Sequence, residues 1–214
     1  GGGGSTGGGG GAIGGGGGST GGGGGSTGGG GGATGTVLLI SQVQTRGEAG
    51  GNDEFVELYN PSTTLSVVFD STWTLSVRAA TSCASTEGTR YTGAGQLIGP
   101  RRHLLLTNSG GYNGSVAGDA TYTTAIGDAA SVVLRREQTV VDAVCLAADS
   151  ATMTSLTTCT PTFLCEGTPV MNPHDNTTAT NTDMAVLRVN GADTQNNAAD
   201  FAAMASAPRN LAVP

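Results

Sequence analysis

Asn52-Asp-Glu-Phe-Val-Glu-Leu-Tyr-Asn-Pro61 is the segment of this chain whose secondary structure is plainest. Its centre, residues 55–59, is rich in aromatic and β-branched side chains, which favour a strand. Pro61 then ends the run, because proline has no backbone N–H to donate to a sheet. Runs of the same kind recur further along the chain. They predict nine strands, over residues 37–43, 55–59, 65–69, 73–77, 103–107, 120–124, 131–134, 140–144 and 185–189.

Turn signals separate these runs, among them Asn60-Pro61, Gly99-Pro100 and Asn190-Gly191. No stretch keeps a helical period over a dozen residues, so the pattern indicates strands joined by short connections. The length of residues 36–214 is that of one domain. The sequence therefore predicts an all-β sandwich over residues 36–214.

Residues 1–35 form a glycine-rich arm with a different composition. Runs of glycine alternate with pairs of small residues, such as Ala12-Ile13 and Ser19-Thr20, and the pattern repeats every seven positions. Glycine can adopt the extended threefold helix of the polyproline type, whose amides and carbonyls point toward neighbouring chains. At about 3.1 Å per residue the arm would reach about 110 Å. A domain of the remaining residues has a diameter of about 40 Å, so the arm is too long to fold back on it.

An ordered arm needs partners outside its own chain. Fixing the backbone of the arm costs roughly 35–70 kcal/mol of conformational entropy, and its small side chains bury little area. Many backbone hydrogen bonds to arms of other copies, worth about 1 kcal/mol each, could offset this cost. We therefore expect polyglycine rods packed between subunits. A Cβ at Gly16 or Gly23, in the middle of a run, would clash there, whereas the pairs Ser19-Thr20 and Ala12-Ile13 are accommodated. A stacked β arrangement and a flexible linker are the alternatives.

A family resemblance covers about residues 37–210. The segments 39–47, 52–61 and 73–75 resemble the opening of a bacterial lamin-tail domain. This resemblance implies an immunoglobulin-like β-sandwich with Trp73 in its core, in a secreted or surface setting. It also implies a binding or structural module rather than an enzyme. The chain departs from the family pattern between Ala79 and Gly95 and between Cys145 and Cys165.

The four cysteines, Cys83, Cys145, Cys159 and Cys165, are an even set that allows three disulfide pairings. Zinc binding is the competing interpretation, but no Cys-x-x-Cys spacing exists and both histidines are distant in sequence. Because Cys145 ends a predicted strand and Cys165 begins the next segment, we favour the pairs Cys145–Cys165 and Cys83–Cys159. Disulfides, and a first residue of glycine such as signal-peptide removal would leave, predict an extracellular setting, secreted or at the cell surface.

The charge of the chain narrows the list of partners. The net charge is −7, and all nine basic residues are arginine. Nucleic acid is a poor partner, because the pairs Arg101-Arg102 and Arg135-Arg136 are too few to make a basic face. We expect each pair to straddle a strand or to contact local acids. No apolar run approaches the roughly 20 residues of a membrane span.

No catalytic array stands out in the sequence. Glu54 and Glu57 would face opposite sides of a strand, so with Asp53 they are expected to be solvated edge and turn-capping residues. His103 lies in an apolar strand and His174 in a loop, and neither has a nucleophile motif beside it. The loop 193–200 offers oxygen atoms of the type that bind calcium, but turn chemistry explains its Asp and Asn residues better. The sequence predicts no catalytic site, no metal and no cofactor.

Two functional classes follow from these patterns. The first is a non-enzymatic structural subunit that assembles into a helical homo-oligomeric filament through its glycine arms. The second is a secreted or surface-tethered binding module, with the arm as a flexible spacer and a carbohydrate or surface partner for the sandwich. The low aromatic content, 4%, weakens the second class, since sugar-binding faces use exposed aromatic rings.

Overall fold

The computed structural model of the protein describes residues 1–4 and 37–213. The chain divides into two units, Gly1–Ala33 and Thr34–Pro214. The predictions for the arm, including those for Gly16, Gly23 and the pairs Ala12-Ile13 and Ser19-Thr20, lie outside the described residues and stay predictions.

Strands dominate residues 37–213, and two short helices lie among them. The elements are β1 (Leu39–Gln44), β2 (Phe55–Tyr59), β3 (Val67–Phe69), β4 (Trp73–Ala79), β5 (Gly88–Thr92), β6 (Gln96–Ile98), β7 (His103–Asn108), β8 (Ala120–Tyr122), β9 (Ala130–Arg136), β10 (Thr139–Ala147), α1 (Ser150–Thr158), β11 (Val170–Met171), β12 (Met184–Arg188), α2 (Asn197–Asp200) and β13 (Phe201–Ala205). The all-β prediction is confirmed, and each of the nine predicted strands overlaps one of these elements.

Two sheets enclose one hydrophobic core. Six strands form a sheet in the order β13-β12-β1-β2-β7-β8, and five form a second sheet in the order β11-β10-β9-β4-β5. The pairings are antiparallel except for β7 with β8 and β10 with β11. Ile40 and Leu58 from the first sheet share a core with Leu75 and Leu134 from the second. Trp73 is 1% exposed in this core, as expected.

The segment between Cys145 and Cys165 contains α1 and packs against Ala80 and Ala129. Disulfides join Cys145 to Cys165 and Cys83 to Cys159, the pairs that the sequence favoured. The bonded Cys159 packs with Leu156 of α1 and Phe163 in a second hydrophobic cluster. Asp149 begins α1 with a capping box, because its carboxylate accepts the Thr152 N–H at 2.7 Å. α1 has only nine residues, so it is shorter than the dozen residues over which a helical period shows in the sequence.

Candidate functional site

The strand that follows the glycine arm lies in the middle of the larger sheet. β1 is hydrogen-bonded to β12 on one side and to β2 on the other. Its pairing with β2 shifts between Ile40 and Gln42, so the regular ladder is interrupted there. A bulge of this kind leaves backbone groups unpaired, and buried groups need other partners.

Side chains from both sheets supply those partners at Ile40. The Ile40 N–H donates to Asp142 Oδ2 at 2.6 Å, and the Ile40 carbonyl accepts from Arg188 Nε at 3.0 Å. Asp142 belongs to β10 of the five-stranded sheet, where a second bulge falls between Val140 and Asp142. Arg188 ends β12 of the six-stranded sheet. We call Ile40, Asp142 and Arg188 the clamp, since together they tie β1 to both sheets.

The charged pair in the clamp is fully buried. Arg188 Nη2 lies 2.8 and 2.7 Å from the two carboxylate oxygens of Asp142, and the two side chains are 1% and 0% exposed. The Arg188 Nη1 group donates to the Ala192 carbonyl at 2.9 Å, and the guanidinium lies over the Phe201 ring at 4.5 Å. Burial raises the pKa of Asp142, while the Arg188 charge and the Ile40 N–H oppose that rise. Loss of either partner would leave the other as an uncompensated buried charge, which is strongly destabilising.

Three further carboxyl groups lie around the clamp. Ligand atoms of Glu166, Asp193 and Asp200 fall within 4.8 Å of one another, a spacing that could hold a metal ion. Arg188 Nη1 is already 3.8 Å from Asp193 and 3.6 Å from Asp200, so a cation of the protein shares this space. Burial, with the nearby charges of Asp142 and Asp193, raises the pKa of Glu166 to about 8. A raised pKa favours the neutral form of this carboxyl group, and the neutral form reduces the repulsion within the cluster.

The loop 193–200 makes the turn contacts that its composition predicted. Asp200 accepts the Thr194 N–H at 2.8 Å and the Thr194 hydroxyl at 2.6 Å. Asp193 accepts the Gln195 N–H at 3.3 Å. Three of the oxygens that calcium could use are thus engaged in local hydrogen bonds.

A second feature is a pocket of about 500 Å³ on the larger sheet. Leu58 and Leu104 point into the core, so the adjacent Tyr59 and His103 lie on the opposite face and line this pocket. Arg101 and Arg209 line it as well, and we call it the outer-face pocket. It joins residues of β1, β2, β7 and the chain end, which are far apart in sequence.

Glu57 lies beneath the outer-face pocket and is 0% exposed. Its carboxylate accepts the Ser41 hydroxyl at 2.7 Å and the backbone N–H of Arg209 at 2.5 Å. His103 Nδ1 lies 2.9 Å from Glu57 Oε1. Burial alone would raise the pKa of Glu57, yet His103, Ser41 and Arg209 outweigh it and the pKa is lowered.

The expectation that Asp53, Glu54 and Glu57 are solvated is wrong. Their exposures are 3%, 0% and 0%. Glu54 accepts from Asn108 Nδ2 at 2.8 Å and from the Ile126 N–H at 3.0 Å, whereas Glu57 contacts a different set of residues. Burial raises the pKa of Glu54 to about 7, although both hydrogen bonds favour its charged form. The residues that contact Glu54, Asn108 and Ile126, are remote from it in sequence. The local sequence pattern therefore could not reveal this burial.

The two histidines are also buried in different surroundings. His174 lies in a loop, as predicted, but it is 0% exposed. Its ring nitrogens face the carbonyls of Thr180 at 2.7 Å and Met184 at 2.9 Å. This arrangement fixes the loop and is separate from the outer-face pocket.

The arginine pairs behave differently from one another. Arg135 makes a two-point contact with Glu87, at 3.0 and 2.9 Å, as expected for a pair that meets local acids. Arg101 instead donates to the Tyr59 hydroxyl at 3.1 Å. Within residues 1–4 and 37–213, no carboxylate lies within ion-pair distance of Arg101 or Arg102. The expectation of local acids is therefore wrong for this pair.

In the described part of the chain, no helix has the length and apolar character needed to cross a membrane. Comparison with protein-family models gives no match, and a comparison with curated proteins gives none either. The lamin-tail resemblance therefore stays a prediction, and functional arguments rest on the residues themselves.

Proposed function

We propose that the chain is a non-enzymatic structural subunit of an extracellular filament. Residues 1–35 of several copies pack as extended polyglycine rods, and the β-sandwich is the globular head, of the immunoglobulin-like lamin-tail type. The supporting pattern in the sequence is the seven-residue repeat of the arm, which neither a catalytic site nor a folded core needs. The two disulfides fit a non-reducing environment of this kind.

The observation that carries the proposal is the place of β1, the first strand after residues 1–35, within the larger sheet. Tension in a rod would reach the head at residue 37 and pass directly into β1. An edge strand could peel away one hydrogen bond at a time, but β1 is paired with β2 along its length and with β12 at Gln42 and Val43. The clamp adds one contact to each backbone polar group of Ile40. This attachment suits a head that must stay folded while its arm is held by neighbours.

Assembly through the arm predicts a simple outcome for its removal. Deleting residues 1–35 should give a folded monomer, since the sandwich has its own core and both disulfides. Purified full-length chain should form fibres under the same conditions, as seen by negative-stain electron microscopy. Identical fibres from the truncated chain would show that the faces of the sandwich assemble by themselves.

The second candidate is a tethered binding module whose arm is a flexible spacer. The outer-face pocket favours it, because concave sites with a few convergent polar groups are typical ligand sites. The truncation experiment separates the two candidates, since a spacer predicts no fibres from either chain.

A further inference from the structure

The outer-face pocket contains one cationic group that no carboxylate of the described residues neutralises. Arg101 is exposed and has no carboxylate partner among those residues. The other two arginines of the lining are paired, Arg209 with Glu57 at 3.0 Å and Arg188 with Asp142 at 2.7 Å. Arg101 therefore brings an uncompensated positive charge to the pocket of a protein whose net charge is −7.

The backbone holds Arg101 in a conformation that favours glycine. Its φ angle is 58°, in the left-handed region, which is costly for a residue with a long side chain. The Arg101 N–H donates to the carbonyls of Asn60 and Ser62, both at 3.1 Å, and these bonds fix the turn. Asn190, with a φ angle of 57°, lies on the lining as well. A strained arginine beside a pocket, where glycine would cost less, points to a use for its side chain.

Apolar surface lines the same pocket as Arg101. The Tyr59 ring stacks on His103 with centroids 4.6 Å apart, so its orientation is fixed, and Pro61 continues the lining. The face of a sugar ring carries C–H groups that pack on an aromatic ring. A single Asp or Glu side chain could satisfy Arg101, but it would leave most of about 500 Å³ unfilled.

We propose that the outer-face pocket binds an acidic sugar, a uronic acid unit of an extracellular polysaccharide. The carboxylate accepts from Arg101, and the ring packs against Tyr59 and Pro61. A neutral sugar can make the packing contact but leaves Arg101 without an anionic partner. The pocket contains no residue of the glycine arm, so this proposal is compatible with either candidate function.

Equilibrium dialysis of the full-length chain tests this site, because it works for monomers and fibres alike. The probes are a trimer of galacturonic acid and the neutral trimer of galactose. We expect the acidic trimer to bind at least ten-fold more tightly, the usual value of one charge-assisted hydrogen bond. Arg101→Gln should reduce that affinity about ten-fold, and raised salt should weaken it.

Arg102→Gln is the matched control. Arg102 neighbours Arg101 but does not line the pocket, and its Nη1 contacts the Ala212 carbonyl at 3.3 Å. Its variant should bind the acidic trimer like the parent chain. Equal binding of the two trimers, or equal losses in the two variants, would overturn the proposal. An acidic peptide of three glutamates that binds as tightly as the acidic trimer would overturn the sugar assignment.

Discussion

Replacing Arg188 by methionine tests the clamp directly. Methionine keeps the unbranched shape and apolar packing of the arginine stem, so the change mainly removes the guanidinium. Asp142, 0% exposed, then loses both short contacts to Nη2. The Ile40 and Ala192 carbonyls lose their donors as well.

The expected cost follows from leaving a buried charge without its partner. Removing one member of a buried pair costs about 3–5 kcal/mol, and a buried carbonyl left without a donor adds about 1–3 kcal/mol. Because these terms overlap, we expect Arg188→Met to lower the free energy of unfolding by about 4 kcal/mol. The loss should be smaller at pH 5 than at pH 8, since protonation of Asp142 removes the uncompensated charge.

Urea unfolding followed by tryptophan fluorescence measures this difference. Trp73 is the single tryptophan and is 1% exposed in the core, so its emission reports on the sandwich. The chain without residues 1–35 is the background for every variant, because fibres would prevent two-state unfolding.

Two companion variants make the result interpretable. Arg135→Met removes the partially exposed contact with Glu87 and should cost less than about 1 kcal/mol. Arg188→Met combined with Asp142→Leu should recover part of the loss, because no unpaired charge remains, although the Ile40 N–H then lacks its acceptor. The reasoning is refuted if Arg188→Met costs no more than Arg135→Met.

Two further predictions concern stability. The folded-state pKa of Glu54, about 7, exceeds its ordinary value of 4.5, so the protonated side chain favours the folded state. This contribution to the free energy of unfolding is fully present below pH 4.5 and is lost as pH rises toward 7. We expect the free energy of unfolding to fall by about 3 kcal/mol over this window. Urea unfolding at several pH values should show a flatter dependence on pH for Glu54→Gln than for the parent chain. Equal pH dependence in the two chains would contradict the raised pKa of Glu54. The Cys83–Cys159 and Cys145–Cys165 bonds span 76 and 20 residues. Replacing each pair by serine should cost about 4.5 and about 3 kcal/mol, respectively, and the reverse order in thermal or urea unfolding would contradict this loop-length argument.

The strand pattern could be predicted from sequence where side chains favoured it locally. The segment Phe-Val-Glu-Leu-Tyr became β2 with the predicted bounds. β13, with sequence Phe-Ala-Ala-Met-Ala, was missed because alanine has little strand preference and the strand lies at a sheet edge. β6 and β11, with three and two residues, are too short to show a period.

The clamp could not be predicted because its parts meet only in the folded chain. Asp142 and Arg188 are 46 positions apart, and the bulges that create their partners follow from sheet pairing. One signal was present, since each is a charged residue inside an apolar strand run. Charged residues are rarely fully buried without a partner, so two such positions predict a pair. The outer-face pocket had no comparable signal, because Arg209 reaches it from the end of the chain.

The central claim is that the glycine arm assembles as closely packed rods, and single substitutions in the arm test it most directly. Negative-stain microscopy and sedimentation would compare Gly16→Val and Gly23→Val with the matched changes Ser19→Ala and Thr20→Val. Packed rods leave no room for a branched side chain within a glycine run, so the two glycine variants should fail to assemble. The other two should form normal fibres. Equal assembly by all four variants would contradict the account and favour a flexible spacer.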